Sequence, residues 1–165
     1  MRASRLAAAA LVAVVAVASA GSAVATVFLK VDMPALKKMS ESVVHAKVVD
    51  ISSEWNAERT MIFTHVTLDV KGRLHGAAAD RIVVRVPGGT VDDFSVAMEG
   101  APEFTLNDEV VAFISRWRDG VPMVAGYVEG VSRVHQDGLG NKLLKGGLAD
   151  GLPISELARQ LRSAR

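Results

Sequence analysis

Four histidines are the first side chains to ask about, because a neutral imidazole serves both as a general base and as a metal ligand. His65 and Asp69 stand at i and i+4 within an alternating run. On a helix that spacing would bring them together, but along a strand it separates them by about 13 Å, too far to share one ion. If the first two long strands form a hairpin, Lys47 should sit opposite His65 with His45 diagonal to it. No His-Glu-x-x-His or comparable zinc spacing occurs, so the histidines read as surface or half-buried residues and no metal site is expected. Asp92-Asp93 and the Asp137/Asn141 pair fall in turns, and neither matches a calcium loop. Asp and Asn favour turns for the hydrogen bonds they make to their own backbone. Ser95, Ser115 and Ser132 lack the Gly-x-Ser-x-Gly setting of a nucleophile elbow. Gly88-Gly89 and Gly138-Leu139-Gly140 are not followed by the Lys-Ser or helix start of a phosphate loop. No catalytic residue and no cofactor is assigned. Trp55, in the polar stretch Ser52 to Arg59, is the best stacking candidate, with a plug at the end of a barrel as its plain structural role. Trp117, between Arg116 and Arg118, reads as a rim residue.

The elements that would position these residues are mostly strands. Ile82, Val84 and Val86 alternate with Val83 and Arg85, and Pro87-Gly88-Gly89 must then stop the strand and turn it. Two long strand-like runs precede this stretch and two follow, which places it in the middle of a small barrel or sandwich. Ser42 to Ile51 reads as the first long strand, and Ser52 to Arg59 as its connecting loop. Thr60 to Leu74 is the clearest strand, with Ile62, Thr64, Val66, Leu68 and Val70 on one face. Its length exceeds the usual five or six residues, which predicts a bend or bulge near Gly72.

Val91, Phe94, Val96 and Met98 suggest a short strand broken by Gly100-Ala101-Pro102, and Phe104 and Leu106 read as core plugs. Val110 to Trp117 is strongly apolar; Asp119-Gly120 signals a hairpin, and Met123 to Val134 returns. A last hairpin turns at Asp137 to Asn141. Two helices complete the set. Leu36, Met39 and Val43 recur at helical spacing after Asp32 and Pro34, which predicts a short helix over 34–40. Leu157, Ala158 and Leu161 form the stripe of a C-terminal helix over 155–164 with Ser155 as N-cap.

The chain opens with Met1-Arg2-Ala3-Ser4-Arg5, an apolar run from Leu6 to Ala18, and small residues at Ala18-Ser19-Ala20. This is the layout of an export signal over 1–20, cleaved after Ala20 or, alternatively, after Ala25. The apolar run is shorter than the roughly 20 residues a spanning helix needs. The chain has no cysteine, which excludes a lipoprotein anchor, disulfides and thiolate metal sites. Small animal secreted domains tend to be disulfide-dense, so a Cys-free export product points to a bacterial source and to the periplasm or the medium. Removing Arg2 and Arg5 from 19 Lys+Arg leaves 17 against 18 Asp+Glu, a net charge of −1. A near-neutral surface of mixed sign argues against nucleic acid as the partner.

The order Ser42-Val43-Val44-His45-Ala46-Lys47-Val48, Leu74-His75-Gly76, Val83-Val84-Arg85-Val86-Pro87-Gly88-Gly89 and Phe104 to Phe113 resembles a family of exported, largely uncharacterised bacterial proteins. Their pattern runs VV-x-G-x-V, LKG, VPGG and F-x-x-GE-x-V-x-F. It is similar also to the OB-fold module of animal metalloproteinase inhibitors and netrin-like domains, of which this would be a cysteine-free counterpart. His45-Ala46 departs from the family's small residue-Arg pair, and Asn107-Asp108 from the Gly before Glu109. The animal inhibitors hold zinc through an N-terminal cysteine, so that activity transfers to no residue here and stays an analogy of fold.

The fold expected is therefore mainly β: a five- to six-stranded OB-like Greek-key barrel over 26–165, with a short N-terminal helix and a C-terminal helix. The function expected is that of an exported, non-catalytic binding module, protein-binding, with a protease or an envelope protein as partner. Glycan binding through Trp55 is the alternative. A hydrolase, the second alternative, requires Ser, His and Asp side chains to converge in one pocket. The membrane is met only through an uncleaved signal. The contact surface expected is the first hairpin loop with the Pro87 to Pro102 segment, because loops on a rigid barrel carry recognition. It comprises Trp55, Asn56, Arg59, Arg85, Gly88, Gly89 and Phe94.

Overall fold

The computed structural model describes residues 31–163. The expected signal, both cleavage positions and most of the Thr26 to Val31 run lie outside them. The first element is a seven-residue helix, α1 (Met33–Met39). The Asp32 carboxylate caps it by accepting the Ala35 N–H at 2.8 Å, and Pro34 occupies the first turn, where its missing N–H costs nothing. Two long strands follow, β1 (Ser42–Trp55) and β2 (Ile62–His75), paired antiparallel along their whole length.

The expected irregularity near Gly72 is present, as a register shift of the β-bulge kind. The register slips between His45 and Ala46, opposite Gly72 and Val70, and again near Val43 and near Val48. Each slip adds local twist, so the pair coils instead of lying flat. Two expectations for this hairpin are corrected. Ser52 to Trp55 belongs to β1, because Ser53, Glu54 and Trp55 pair with Thr64, Phe63 and Ile62. Lys47 faces Asp69 instead of His65, which faces Ser52, because β1 runs on to Trp55 and the hairpin turns between Asn56 and Met61, further along the chain than a Lys47–His65 pairing requires.

The remaining strands are β3 (Arg81–Pro87), β4 (Gly89–Val91), β5 (Phe94–Val96), β6 (Glu109–Arg116), β7 (Pro122–Val124), β8 (Val131–Gln136) and β9 (Lys142–Lys145), before α2 (Ile154–Ser163). One seven-stranded antiparallel sheet runs β3-β2-β1-β6-β8-β9, with β7 on β6; β4 and β5 form a separate hairpin. Among the described residues nine strands thus stand where five or six were expected. The Arg81 to Thr90 stretch is not the middle: its strand β3 is an edge that pairs with β2, its last residues pass into β4, and the centre is β1 and β6. The sheet is open: β3 comes beside β7 without a ladder between them. The expected Met123 to Val134 strand is split in two, because Gly126 and Tyr127 take left-handed φ values of 69° and 54° and start a short 3-10 turn.

The alternation along each strand sorts its side chains into two cores. The inner face buries Val44, Ala46, Val48, Val66, Leu68, Val84, Val110 and Ala112, among others. The outer face buries Val43, Val111 and Phe113 under Leu36 of α1 and Leu157 and Leu161 of α2. A strand covered on both faces needs apolar residues at every position, which is why β6 reads as an unbroken run. Helix α2 begins at Ile154, so Ser155 lies inside its first turn and is not the N-cap. Among the described residues no helix is long and apolar enough to cross a membrane.

Candidate functional site

Beyond β3 the chain leaves the sheet, and this excursion shapes the site. Gly88 and Gly89 have φ values of 96° and 134°, which L side chains rarely adopt. The Gly88 N–H donates to the Ile62 carbonyl at 2.9 Å, and the Thr64 hydroxyl donates to the Gly88 carbonyl at 2.8 Å. The Thr64 hydroxyl also lies 2.9 Å from that of Ser53. These bonds fold the β4–β5 hairpin over the end of the β1–β2 ladder. Between the hairpin and the 97–105 segment opens a cleft of about 400 Å³. Its floor is Ile51, Val66 and Val86 from the inner face of the sheet; Val96, Met98, Ala101 and Phe104 form its walls. Glu103 and Arg133 stand where it meets a second hollow of about 380 Å³, lined further by Val128, Lys145, Gly146 and Gly147.

The expected contact residues divide among three places. Gly88 and Gly89 line the cleft. Trp55 and Phe94 lie beside it as an edge-to-face pair, with centroids 5.6 Å apart. Phe94 is not core: it is 62% exposed, whereas Trp55 is half-buried on its strand and not in a loop. Asn56 and Arg59 shape the turn at the hairpin tip. The Asn56 side-chain carbonyl accepts the N–H groups of Thr60 and Met61, and its amide donates to Thr60 and Glu58. Arg59 sits at φ 53° with its side chain in solvent.

Arg85 points the other way. Its guanidinium lies 5.0 Å from the Phe63 ring centroid and 5.3 Å from that of Trp117, and it bonds Asp119 at 2.6 Å. The Trp117 indole N–H donates to the Arg85 carbonyl at 3.4 Å. This clasp ties β3 to the β6–β7 hairpin where no ladder does, and the Arg85 hydrogen bond holds the Asp119 carboxyl below its usual range. Arg85 is thus engaged in this clasp and not at the cleft, and Trp117 is part of the same clasp.

Thr64, Met98, Ala101, Glu103, Phe104 and Arg133 were missed as site residues. Gly100-Ala101-Pro102 signals a chain break that could have drawn attention to the 97–105 segment, whereas nothing local marks Arg133. Leu106 is 52% exposed and not a core plug, since Asn107 takes φ 72° and donates to the Val48 carbonyl, turning Leu106 outward.

Two of the four histidines, His45 and His65, pair with carboxylates on separate parts of the sheet. His65 Nε2 lies 3.1 Å from Glu54, and His45 Nε2 lies 3.2 Å from Glu109, whose other neighbour is Lys142 at 2.7 Å. The Lys142 hydrogen bond, against partial burial and aided by His45, keeps the Glu109 carboxyl below its usual range. Among the described residues no group of three or more His, Cys, Asp or Glu side chains could hold a metal ion. No protein-family model, curated protein or solved structure matches this chain.

Proposed function

We propose that the chain is an exported, non-catalytic binding module on an OB-like barrel, and that the cleft with its aromatic rim receives a protein partner such as an extracytoplasmic protease or envelope protein. The barrel reading draws support from the order β3-β2-β1-β6-β8 and from the Arg85–Trp117 clasp, which brings β3 alongside β7. One observation carries the choice of partner. The floor and most of the walls of the cleft are apolar, and a Phe94 ring mostly in solvent stands beside it. Its Thr64 hydroxyl is already taken by Gly88 and Ser53 and its Arg133 by Asp108, which leaves the Glu103 carboxylate as an unengaged charge at the rim among the described residues. A sugar needs several unengaged hydrogen-bonding groups along the recess and not one charge at its rim, whereas a protein anchor needs an apolar recess and an exposed aromatic.

The test is cross-linking of the tagged chain in the extracytoplasmic fraction of its own organism, with Phe94→Ala and Trp55→Ala alongside. A defined protein partner, recovered several-fold less with Phe94→Ala, is the expected result. Retention on cell wall, reversed by soluble wall sugars and dependent on Trp55, would replace the protein reading with the glycan one.

A further inference from the structure

We infer that two copies of this chain pair about a two-fold axis through the cleft face, each seating Phe94 in the other's cleft. Phe94 and Val96 are two residues apart on β5 and so project from the same side of the hairpin, about 7 Å from one another. Val96 lines the cleft, while Phe94 stands beside it, 62% exposed, with its ring set against the half-buried Trp55. A cavity of about 150 Å³ is enough to admit a benzene ring. The cleft offers about 400 Å³. An exposed ring next to an apolar recess on the same surface is self-complementary under a two-fold, where residue i meets residue j and residue j meets residue i.

The charges on this face have the same property. Glu103 borders both hollows and Lys145 lines the second. Neither the Glu103 carboxylate nor the Lys145 ammonium has a hydrogen-bonding or ionic partner among the described residues. Arg133 between them is committed, to Asp108 at 3.1 Å and to the Glu103 carbonyl at 3.3 Å. One unpaired anion and one unpaired cation on a single rim find each other twice across a two-fold axis, Glu103 of one copy against Lys145 of the other. Val128, 49% exposed in the second hollow, adds apolar contact between them. Pairing of this kind needs no other protein, and it covers the face proposed for a partner, so the two associations exclude each other.

Sedimentation equilibrium of the purified chain between about 1 μM and 1 mM tests the pairing without any partner present. The expected result is a concentration-dependent monomer–dimer equilibrium, weakened roughly 30-fold or more by Phe94→Ala, because the substitution removes both rings at once. Far-UV circular dichroism of that variant stays unchanged, since the ring is mostly exposed and the backbone does not depend on it. Lys145→Glu weakens the dimer as well, and adding Glu103→Lys to it restores the wild-type equilibrium. A chain that stays monomeric over the whole range, or a dimer that Phe94→Ala leaves intact, overturns the proposal. A double charge exchange that fails to restore pairing overturns the two-fold arrangement.

Discussion

Arg85 offers a test of what holds the open side of the sheet. Its side chain is only 20% exposed, stacked between Phe63 and Trp117, and its Nε is buried without a hydrogen-bond partner. Two contributions oppose each other. The guanidinium gains about 1–2 kcal/mol from the two aromatic faces. The unpartnered Nε costs about 1–3 kcal/mol in lost solvation. The bond to Asp119 changes the balance little, because that carboxylate is 53% exposed. Arg85→Met keeps an unbranched stem between the rings and removes both the charge and the orphan nitrogen, so stability should change by no more than about 1 kcal/mol.

Arg85→Ala removes the stem too and leaves a gap between Phe63 and Trp117. It should be about 2 kcal/mol less stable than the Met variant, a typical cost of truncating a packed side chain. With a urea slope of about 2 kcal/mol/M for a domain of this size, the midpoints of the two variants should differ by about 1 M. Urea unfolding followed by tryptophan fluorescence measures this, because Trp117 is in the clasp itself. If Arg85→Met unfolds as early as Arg85→Ala, the charge and not the packing seats β3 against β7, and the reasoning fails.

Other substitutions probe separate parts of the molecule. Gly89→Ala would place a methyl group at φ 134° against the hydroxyls of Thr64 and Ser53, costing roughly 2–4 kcal/mol of strain and lost hydrogen bonding; an unchanged melting temperature would show that the hairpin relaxes freely. Leu36→Ala empties a fully buried position beneath α1 and should cost about 2–5 kcal/mol in denaturant titration; a loss under 1 kcal/mol would mean that α1 is not docked on β6. For Glu109 the sign of the pH effect follows from its lowered folded pKa. The stabilisation is present above the unfolded value of about 4.3 and disappears as pH falls through the folded value. Glu109→Gln should therefore be less stable than wild type at neutral pH, with the gap closing on acidification; a gap independent of pH would refute the Lys142 pairing.

The sequence by itself determined most of the local structure. Period-two alternation in β2 and β3 named the residues that face the inner core, and Asp32 with Pro34 marked the start of α1, because these signals act over a few residues. Gly88-Gly89 was legible as a turn, since only a residue without a Cβ takes those φ values readily. Trp55 and Phe94 were legible as candidates by type, but not as a pair, because 39 positions separate them in the chain. Their contact depends on the β4–β5 hairpin folding back over β1. Only the tertiary structure decided that β3 is an edge, that Arg85 turns from the cleft into a clasp, and that Arg133, Glu103 and Met98 share a cavity. Those facts rest on which strands pair and where β1 slips register, and a one-residue slip leaves local composition untouched while exchanging every partner across the ladder.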